Sequence, residues 1–337
     1  MQILCMWNVS LPGRKMTVQR RITVVTDPQY LLHDTGGGEH PEVPERLQVI
    51  AARLSAGNFI DCTDTVSPRP ARRFELMAFH PESWLFRFEE AVLSGLTSID
   101  HPDNQIGYES YTVAVLSAGA GLTAVDLVEQ ESKKILFCAV RPPGHHAEPA
   151  RPYGFCFFNN CVIAARYWQQ THGRRRICVL DFDAHHGNGI QTAFEEDGDI
   201  LYISIHEHPS FSYPGTGWAD EHGFGPGKGT LLNIPLPPGA GDDQVLAALD
   251  GPIFTLLDQF QPEAMVVAAG FDGHQLDDMS GLGYSTGLYK EIGRRLAAWS
   301  ACFCNGRMVS ILEGGYHLPV LGDCVESYLT GLLHADT

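Results

Sequence analysis

The sequence lacks the cysteine pairs and long apolar runs that would mark a zinc finger, a disulfide scaffold or a membrane protein. Its nine cysteines include no Cys-x-x-Cys pair, and an odd, scattered set is typical of reduced thiols inside the cell. No apolar run approaches the roughly 18 residues that span a bilayer, and the first residues lack the basic region and cleavage site of a signal peptide. We therefore expect a cytoplasmic protein without a membrane partner.

The chain is also poor in positive charge. It has 23 Lys and Arg against 40 Asp and Glu in 337 residues, so its formal net charge is −17. Such a surface repels the phosphate backbone of nucleic acids. We expect no nucleic-acid partner, and the composition leaves the oligomeric state open.

Short apolar runs alternate with helical patterns along most of the chain. Continuous apolar runs predict strands buried on both faces at 22–26, 135–140, 177–181, 201–205, 231–234, 264–268 and 308–312. Helical patterns fall at 46–54, 111–128, 160–170, 242–260 and 286–301. The alternation predicts one α/β domain over residues 17–337, with a parallel sheet covered by helices. Residues 1–16 are expected to be an N-terminal extension.

Polar, glycine-flanked clusters follow four of the predicted strands, at 141–148, 181–189, 269–274 and 313–317. Ligand sites in open α/β sheets lie at the carboxyl ends of the strands. We therefore expect the four clusters to meet in one site.

Two of these clusters contain the residues that a catalytic metal needs. Asp183 and His185 stand two positions apart, and Asp272 adds a second carboxylate. Two carboxylates and one imidazole suit Zn²⁺ or Fe²⁺, and three protein ligands leave a position for water and substrate. A metal there would polarise a carbonyl and make water more acidic.

Groups suited to proton transfer accompany them. His145 and His146 titrate near neutral pH, and Asp181 could hold a ring N–H of one of them. Tyr316 follows two glycines and could donate its O–H to an oxyanion. Each residue alone has a structural explanation, such as helix capping by Asp272, but their convergence favours a metal-dependent amidohydrolase.

At these residues the sequence resembles the zinc-dependent histone deacetylase family, with its acetylpolyamine amidohydrolase and acetoin-utilisation relatives. Five motifs carry the resemblance, in order R-P-P-G-H-H-A-E, D-F-D-A-H-H-G-N-G, Y-P-G-T-G, A-G-F-D-G-H and E-G-G-Y. It covers residues 20–330. It implies the arginase/deacetylase fold, a three-layer α/β/α domain around a central, mainly parallel sheet of about eight strands.

The resemblance also implies a set of site residues. Three match the zinc ligands: Asp183, His185 and Asp272. Five match the groups that transfer protons or orient those that do: His145, His146, Asp181, Asn188 and Tyr316. Three match the walls of the narrow tunnel for an acyl-lysine side chain: Gly154, Phe155 and Tyr213. We also place Met279 and Asp103 at this tunnel, Asp103 because it precedes the first motif and could bind substrate backbone or an ammonium. The family also holds a structural K⁺, which would here use atoms of Asp181, Asp183, His185, Ser204 and Ile205.

In this scheme His146 is the general base and His145 its electrostatic or acid partner. Asp181 holds His145, Asn188 holds His146, and Tyr316 stabilises the oxyanion.

Three departures from the family pattern bear on the substrate. Asn188 stands where class I members have aspartate, so the chain looks class II-like. Tyr213 replaces the more common phenylalanine of the tunnel wall. Met279 stands where a polyamine-selective relative has glutamate, and it offers no charge to a polyamine. The resemblance therefore favours removal of acetyl or other acyl groups from lysine side chains of peptides or proteins.

Two alternatives stay open. An acetylpolyamine amidohydrolase would apply the same chemistry to a small cationic amine, behind an acidic entrance. A catalytically silent acyl-lysine binding protein would keep the pocket without turnover, although Tyr316 and the complete ligand set argue against it.

Overall fold

The structure is a computed structural model that describes residues 21–36, 40–56, 59, 61–131 and 135–334. The predicted extension, residues 1–16, and the start of the predicted domain lie outside the described residues. Eight strands form one parallel sheet in the order β2-β1-β5-β10-β9-β6-β7-β8. Their bounds are β1 Ile22–Val25, β2 Thr63–Val66, β5 Ile135–Cys138, β6 Ile177–Asp181, β7 Ile200–Glu207, β8 Leu231–Leu236, β9 Ala264–Ala269 and β10 Met308–Leu312.

Helices cover both faces of this sheet, as the alternating pattern predicts. They are α1 Glu45–Leu54, α2 Arg73–Leu76, α3 Glu82–Leu93, α4 Ser110–Gln130, α5 Asn160–His172, α6 Asn188–Phe194, α7 Asp242–Ala248, α8 Phe254–Phe260, α9 Thr286–Phe303 and α10 Leu318–Leu333. α4 and α5 pack together, and α1, α9 and α10 form a second group. The prediction of a three-layer α/β/α domain with a parallel sheet of about eight strands is confirmed.

The central strands are apolar because both of their faces are buried. Every residue of β5, β6, β9 and β10 is buried, so alternation of polar and apolar residues has no place there. These four strands are neighbours in the sheet. Their carboxyl ends therefore lie side by side, which brings the four polar clusters together.

The structure corrects several predicted boundaries. The helix predicted over 242–260 is interrupted by a π-helical segment, Leu249–Ile253, around Pro252, because proline lacks the N–H that a regular helix requires. The strand predicted to end at Val140 ends at Cys138. The edge strand β2 and the helices α2, α3, α6 and α10 had not been predicted.

The helix α4 is apolar enough, over 21 residues, to cross a membrane by length and composition alone, so the expectation that no segment approaches this limit was too strict. Two thirds of its most apolar window (67%) is buried inside the fold. It packs against α5, β5 and β10. Its apolar character is therefore accounted for by the protein core.

A short antiparallel hairpin lies outside the main sheet. It joins β3, Ser98–Ile99, to β4, His101–Gln105. Asp100, at its turn, has a positive φ of 63°, a conformation that Asp tolerates better than most residues. The hairpin brings Asp103 to the rim of the site described next.

Candidate functional site

Asp183, His185 and Asp272 form a compact buried cluster just beyond the ends of β6 and β9. One potential ligand atom of each residue lies within 4.8 Å of the others. Nδ1 of His185 is 2.9 Å from Oδ2 of Asp272 and 3.2 Å from Oδ1 of Asp183. Nε2–H of His185 can donate to the carbonyl oxygen of Met279, at 3.1 Å. That contact orients the ring with Nδ1 toward the carboxylates, as ligating imidazoles are commonly oriented.

The two carboxylates carry buried negative charge that a cation would balance. Asp183 and Asp272 are fully buried, and among the described residues their only ion-pair partners are histidines. Burial and the charge of Asp183 raise the pKa of Asp272 to about 6. Burial opposes protonation of His185, but Asp272 and Asp183 outweigh it and raise its pKa well above 6.5. The donor set fits a divalent metal, which would take the place of that proton.

Glycines leave space around this cluster. The N–H of Gly314 donates to Oδ2 of Asp183, at 2.7 Å. A Cβ on Gly314 would lie 2.3 Å from Oδ2 of Asp272 and 2.6 Å from Oδ2 of Asp183. The glycines of the E-G-G-Y motif thus allow the turn after β10 to approach the carboxylates.

His145 and His146 lie side by side, with ring centroids 3.9 Å apart. Nδ1 of His145 is 3.1 Å from Oδ2 of Asp181. Burial alone would lower the pKa of His145, but the charges of Asp183 and Asp181 raise it to about 10. Burial, followed by the charge of His145, holds the pKa of His146 well below 6.5. The pair therefore combines a protonated and a neutral imidazole.

The amide of Asn188 fixes the tautomer of His146. Its Nδ2 donates to Oε1 of Glu148, at 3.0 Å, and to the carbonyl oxygen of His146, at 3.2 Å. Its Oδ1 is then the acceptor for Nδ1–H of His146, at 2.8 Å. The free lone pair of the neutral ring is consequently on Nε2.

A cavity of about 200 Å³ joins these groups to the surface. It is lined by three residues of the predicted reaction centre and by all five predicted tunnel residues: His146, His185, Tyr316, Asp103, Gly154, Phe155, Tyr213 and Met279. Gly154 has a positive φ of 50°, and a Cβ there would lie 2.3 Å from the His146 ring. A side chain at this position would therefore displace that histidine.

The predicted K⁺ residues are also neighbours. Asp181 and Ser204 are paired in register between β6 and β7. The Asp181 carboxylate accepts from the N–H of Asp183, at 3.1 Å, and the Ser204 hydroxyl lies 2.7 Å from Nδ1 of His206. Ile205 follows Ser204 directly, and His185 lies two positions after Asp183.

Tyr316 is held by residues to which the sequence analysis gave no role. The Arg46 guanidinium lies 4.7 Å from the centre of the Tyr316 ring and donates to the carbonyl oxygens of Gly315, at 2.7 Å, and Glu313, at 2.5 Å. Asp277 accepts from the N–H of Tyr316, at 2.6 Å. Arg46 lies in the stretch H-P-E-V-P-E-R, residues 40–46, which also resembles the start of the family's domain and was the available signal.

The Glu313 carboxylate binds the backbone at the start of the histidine pair. Its Oε2 accepts from the N–H groups of Gly144, at 2.6 Å, and His145, at 3.0 Å. Burial raises its pKa to about 7. Its place in the E-G-G-Y motif marked it as part of the fourth cluster, but no spacing rule connected it with residue 144.

Comparison with known proteins identifies the family. A family model described as the histone deacetylase domain matches residues 40–332. "Histone deacetylase 10, chloroplastic" of Oryza sativa subsp. japonica is 39% identical over 310 residues, covering 87% of this chain and 70% of the relative. The "Histone deacetylase-like amidohydrolase" of Pseudomonas aeruginosa is 33% identical, covering 88% of this chain and 78% of the relative.

A solved structure, described as the crystal structure of the HDA15 HD domain, has the same fold. It superimposes with a TM-score of 0.86 at 30% sequence identity, covering 94% of this chain and 90% of that one. The resemblance seen in the sequence is confirmed, and the chain belongs to the histone deacetylase family of hydrolases.

Proposed function

We propose that the chain is a metal-dependent deacylase that removes acetyl or other acyl groups from the ε-amine of lysine side chains. The observation that carries the proposal is the cavity of about 200 Å³ in which His146, His185 and Tyr316 meet behind the Phe155 and Tyr213 walls. A space of this size suits a slim acyl-lysine chain, with its amide placed at the deep end.

Asp183, His185 and Asp272 would hold the metal, Zn²⁺ or Fe²⁺. When bound there, the metal would polarise the substrate carbonyl and make water more acidic. We assign a structural K⁺ to Asp181, Asp183, His185, Ser204 and Ile205. The family match supports a metal-dependent site in general, and the identity of each ion is our assignment.

The chain's own residues would move the protons. Nε2 of neutral His146 accepts a proton from water as the water oxygen attacks the acyl carbon. The Tyr316 O–H donates to the carbonyl oxygen as negative charge develops on it. A histidinium then donates a proton to the leaving amine, which gives a carboxylate and a free lysine. Burial and the positive charge of His145 keep His146 neutral before the reaction.

The rival substrate is an acylated polyamine. Met279 lies in the cavity lining and brings no charge, so it gives no support to a second ammonium of a polyamine. Oδ1 of Asp103, the one carboxylate in that lining, lies 2.5 Å from Nδ1 of His101. These two observations favour lysine side chains.

Acetate release is the test. Zinc-loaded protein is incubated with an acetyl-lysine peptide and with N-acetylputrescine, and kcat/KM is measured for each. We expect higher turnover of the peptide. Preference for N-acetylputrescine would support the polyamine enzyme, and stoichiometric peptide binding without acetate release would support a silent binding protein.

We also propose a cytoplasmic location. Two plant relatives are described as chloroplastic, so fractionation of the source cells is needed to test it. Recovery in an organelle or membrane fraction would refute the proposal.

A further inference from the structure

A groove of about 730 Å³ opens beside the mouth of the cavity. Asp103 and Tyr213 line both spaces, so the groove continues directly from the cavity. Its walls come from α3, the β3–β4 hairpin and residues 150–153. A substrate with its acyl chain in the cavity would place its remaining atoms here.

The size of the groove indicates how much of a substrate it can take. Pockets of about 300–1,000 Å³ hold drug-sized ligands. A small acylated amine would leave most of this groove empty, whereas a few residues on either side of an acyl-lysine would fill it.

Most charged groups of the groove are already paired. The Arg87 guanidinium donates to both carboxylate oxygens of Asp100, at 2.7 and 2.9 Å, and to the carbonyl oxygen of Ala150, at 2.7 Å. His101 and Asp103 form a second pair. These contacts leave one charged residue of the lining to account for, Arg151.

Arg151 forms no ion pair with the described residues, although the charges of Glu148 and Asp100 act on its guanidinium from a greater distance. Its backbone is fixed by hydrogen bonds with Glu148, at 3.0 and 3.5 Å, but the Glu148 carboxylate accepts instead from Asn188. The side chain of Arg151 is exposed and lies near the Tyr153 hydroxyl, a phenol rather than a carboxylate. Within the described part of the chain no ion pair joins Arg151 to an acidic residue.

We infer that the groove is a second substrate subsite, in which Arg151 binds the carboxylate of an Asp or Glu side chain close to the acyl-lysine. A guanidinium is suited to this task because its fork of N–H donors matches the two oxygens of a carboxylate. On a molecule with a net charge of −17, such a subsite would let an acidic peptide dock where the rest of the surface repels it. The inference rests on the proposed deacylase function and names its substrate class.

The experiment compares matched acetyl-lysine peptides that carry Glu, Ala or Lys beside the acetyl-lysine. kcat/KM is measured for the wild type, Arg151→Gln and Arg151→Glu at low and high salt. Arg175→Glu is the matched control. Arg175 is an exposed arginine that precedes β6, so it lies at the amino ends of the parallel strands, whereas the cavity lies at their carboxyl ends. Free Nε-acetyl-lysine and its blocked form, which lacks the α-carboxylate, complete the panel.

We expect the wild type to prefer the Glu peptide over the Ala peptide by about two- to fivefold, the range of a solvent-exposed ion pair. The preference should reside in KM and shrink in high salt. Arg151→Gln should abolish it, Arg151→Glu should reverse it toward the Lys peptide, and Arg175→Glu should retain it.

Equal Glu-to-Ala ratios in the wild type and Arg151→Glu would overturn the subsite while leaving the deacylase function intact. A different result would be that Arg151 increases kcat/KM only for free Nε-acetyl-lysine relative to its blocked form. That result would overturn the peptide assignment in favour of a small carboxylate. No acetate release from any acetyl-lysine substrate would instead refute the proposed function itself.

Discussion

The Tyr316 ring is packed between two neighbouring side chains. Because this packing involves the ring and not the hydroxyl, the role of the hydroxyl can be tested separately. Arg46 lies over the ring, and the Phe155 ring meets its edge at 5.8 Å between centroids. Tyr316→Phe should keep this packing and lose the donor to the oxyanion. We expect kcat to fall on the order of a hundredfold or more, with little change in KM, as measured by steady-state kinetics.

Tyr284→Phe is the matched control for this substitution. Tyr284 is a buried tyrosine near the end of β9, and its hydroxyl has no hydrogen-bond partner in the described part of the chain. Its removal should leave kcat within a few-fold of the wild type. An unchanged kcat in Tyr316→Phe would rule out its role as oxyanion donor.

Residues to which we assign chemistry were easier to predict from the sequence than the residues that hold them. Asp183, His185 and Asp272 could be grouped because each follows an apolar strand, and such strand ends converge. Arg46 could not be assigned, because it reaches the turn after β10 across 269 positions with no local pattern. Asp277 and Glu148 contact the site in ways that no spacing rule describes.

The loop before α1 depends on an ionised Glu42 between two buried arginines. Glu42 accepts from Arg141, at 2.6 and 2.7 Å, and from Arg46, at 3.2 Å. Burial raises the pKa of Glu42, but the two guanidiniums outweigh it and lower the pKa to about 2. Because this pKa is lower in the folded state than its usual 4.5, the stability it provides is present above pH 4.5. It is lost as the pH falls toward 2.

Glu42→Gln should therefore destabilise the protein at pH 7 by about 3 kcal/mol or more, since it leaves two guanidiniums without their carboxylate. In this variant the free energy of unfolding should also fall less steeply as the pH decreases below 4.5. The measurement is the free energy of unfolding in urea at pH 7, 4.5 and 3. Glu45→Gln, an exposed site on α1, is the control, and equal pH profiles for the two variants would contradict the prediction.

The β3–β4 hairpin is held against α3 by Arg87. Two strands of two and five residues are marginally stable by themselves, so the bonds from Arg87 to Asp100 and Ala150 should matter locally. We expect Arg87→Ala to speed amide hydrogen exchange over residues 98–105 and to raise KM for peptides. Global stability should change by about 1 kcal/mol or less, as for exposed ion pairs.

Arg53→Ala provides the comparison, because Arg53 forms exposed ion pairs with Asp323 and Glu326 between α1 and α10. Exchange in the hairpin should be unaffected there. Equal protection of residues 98–105 in both variants would show that Arg87 does not hold the hairpin.

Strands buried on both faces were predictable, whereas the polar edge strand β2 and the β3–β4 hairpin were not. β9 is apolar throughout, and β6 and β10 each contain one polar residue, Asp181 and Ser310, so their sequences indicate buried strands. β2 reads Thr-Asp-Thr-Val and is half exposed at the edge of the sheet, so it resembles a loop. The β3–β4 hairpin is also polar and partly exposed, so its sequence resembles a loop. It could not be predicted, although it carries the predicted site residue Asp103.

Metal binding should stabilise the whole molecule, because its ligands come from the ends of two strands at the centre of the sheet. At a zinc concentration a hundredfold above Kd, we expect the thermal midpoint to rise by about 4 °C. Asp183→Ala should lose both this rise and the bound metal, as measured by calorimetry and elemental analysis. Asp258→Ala, an exposed site on α8, should retain both, and a full complement of zinc in Asp183→Ala would contradict the assigned ligand.

The fully buried Arg46 also sets an order of events during synthesis. Its hydrogen bonds to Glu313 and Gly315 join positions 267 and 269 residues apart, and contacts this distant form late because a long loop must close first. Helix α1, which carries Arg46, leaves the ribosome well before its partners exist. The turn that bears Tyr316 thus gains its support only after β10 has emerged, so a nascent chain that already has the proposed metal ligands would still lack a fixed Tyr316 side chain.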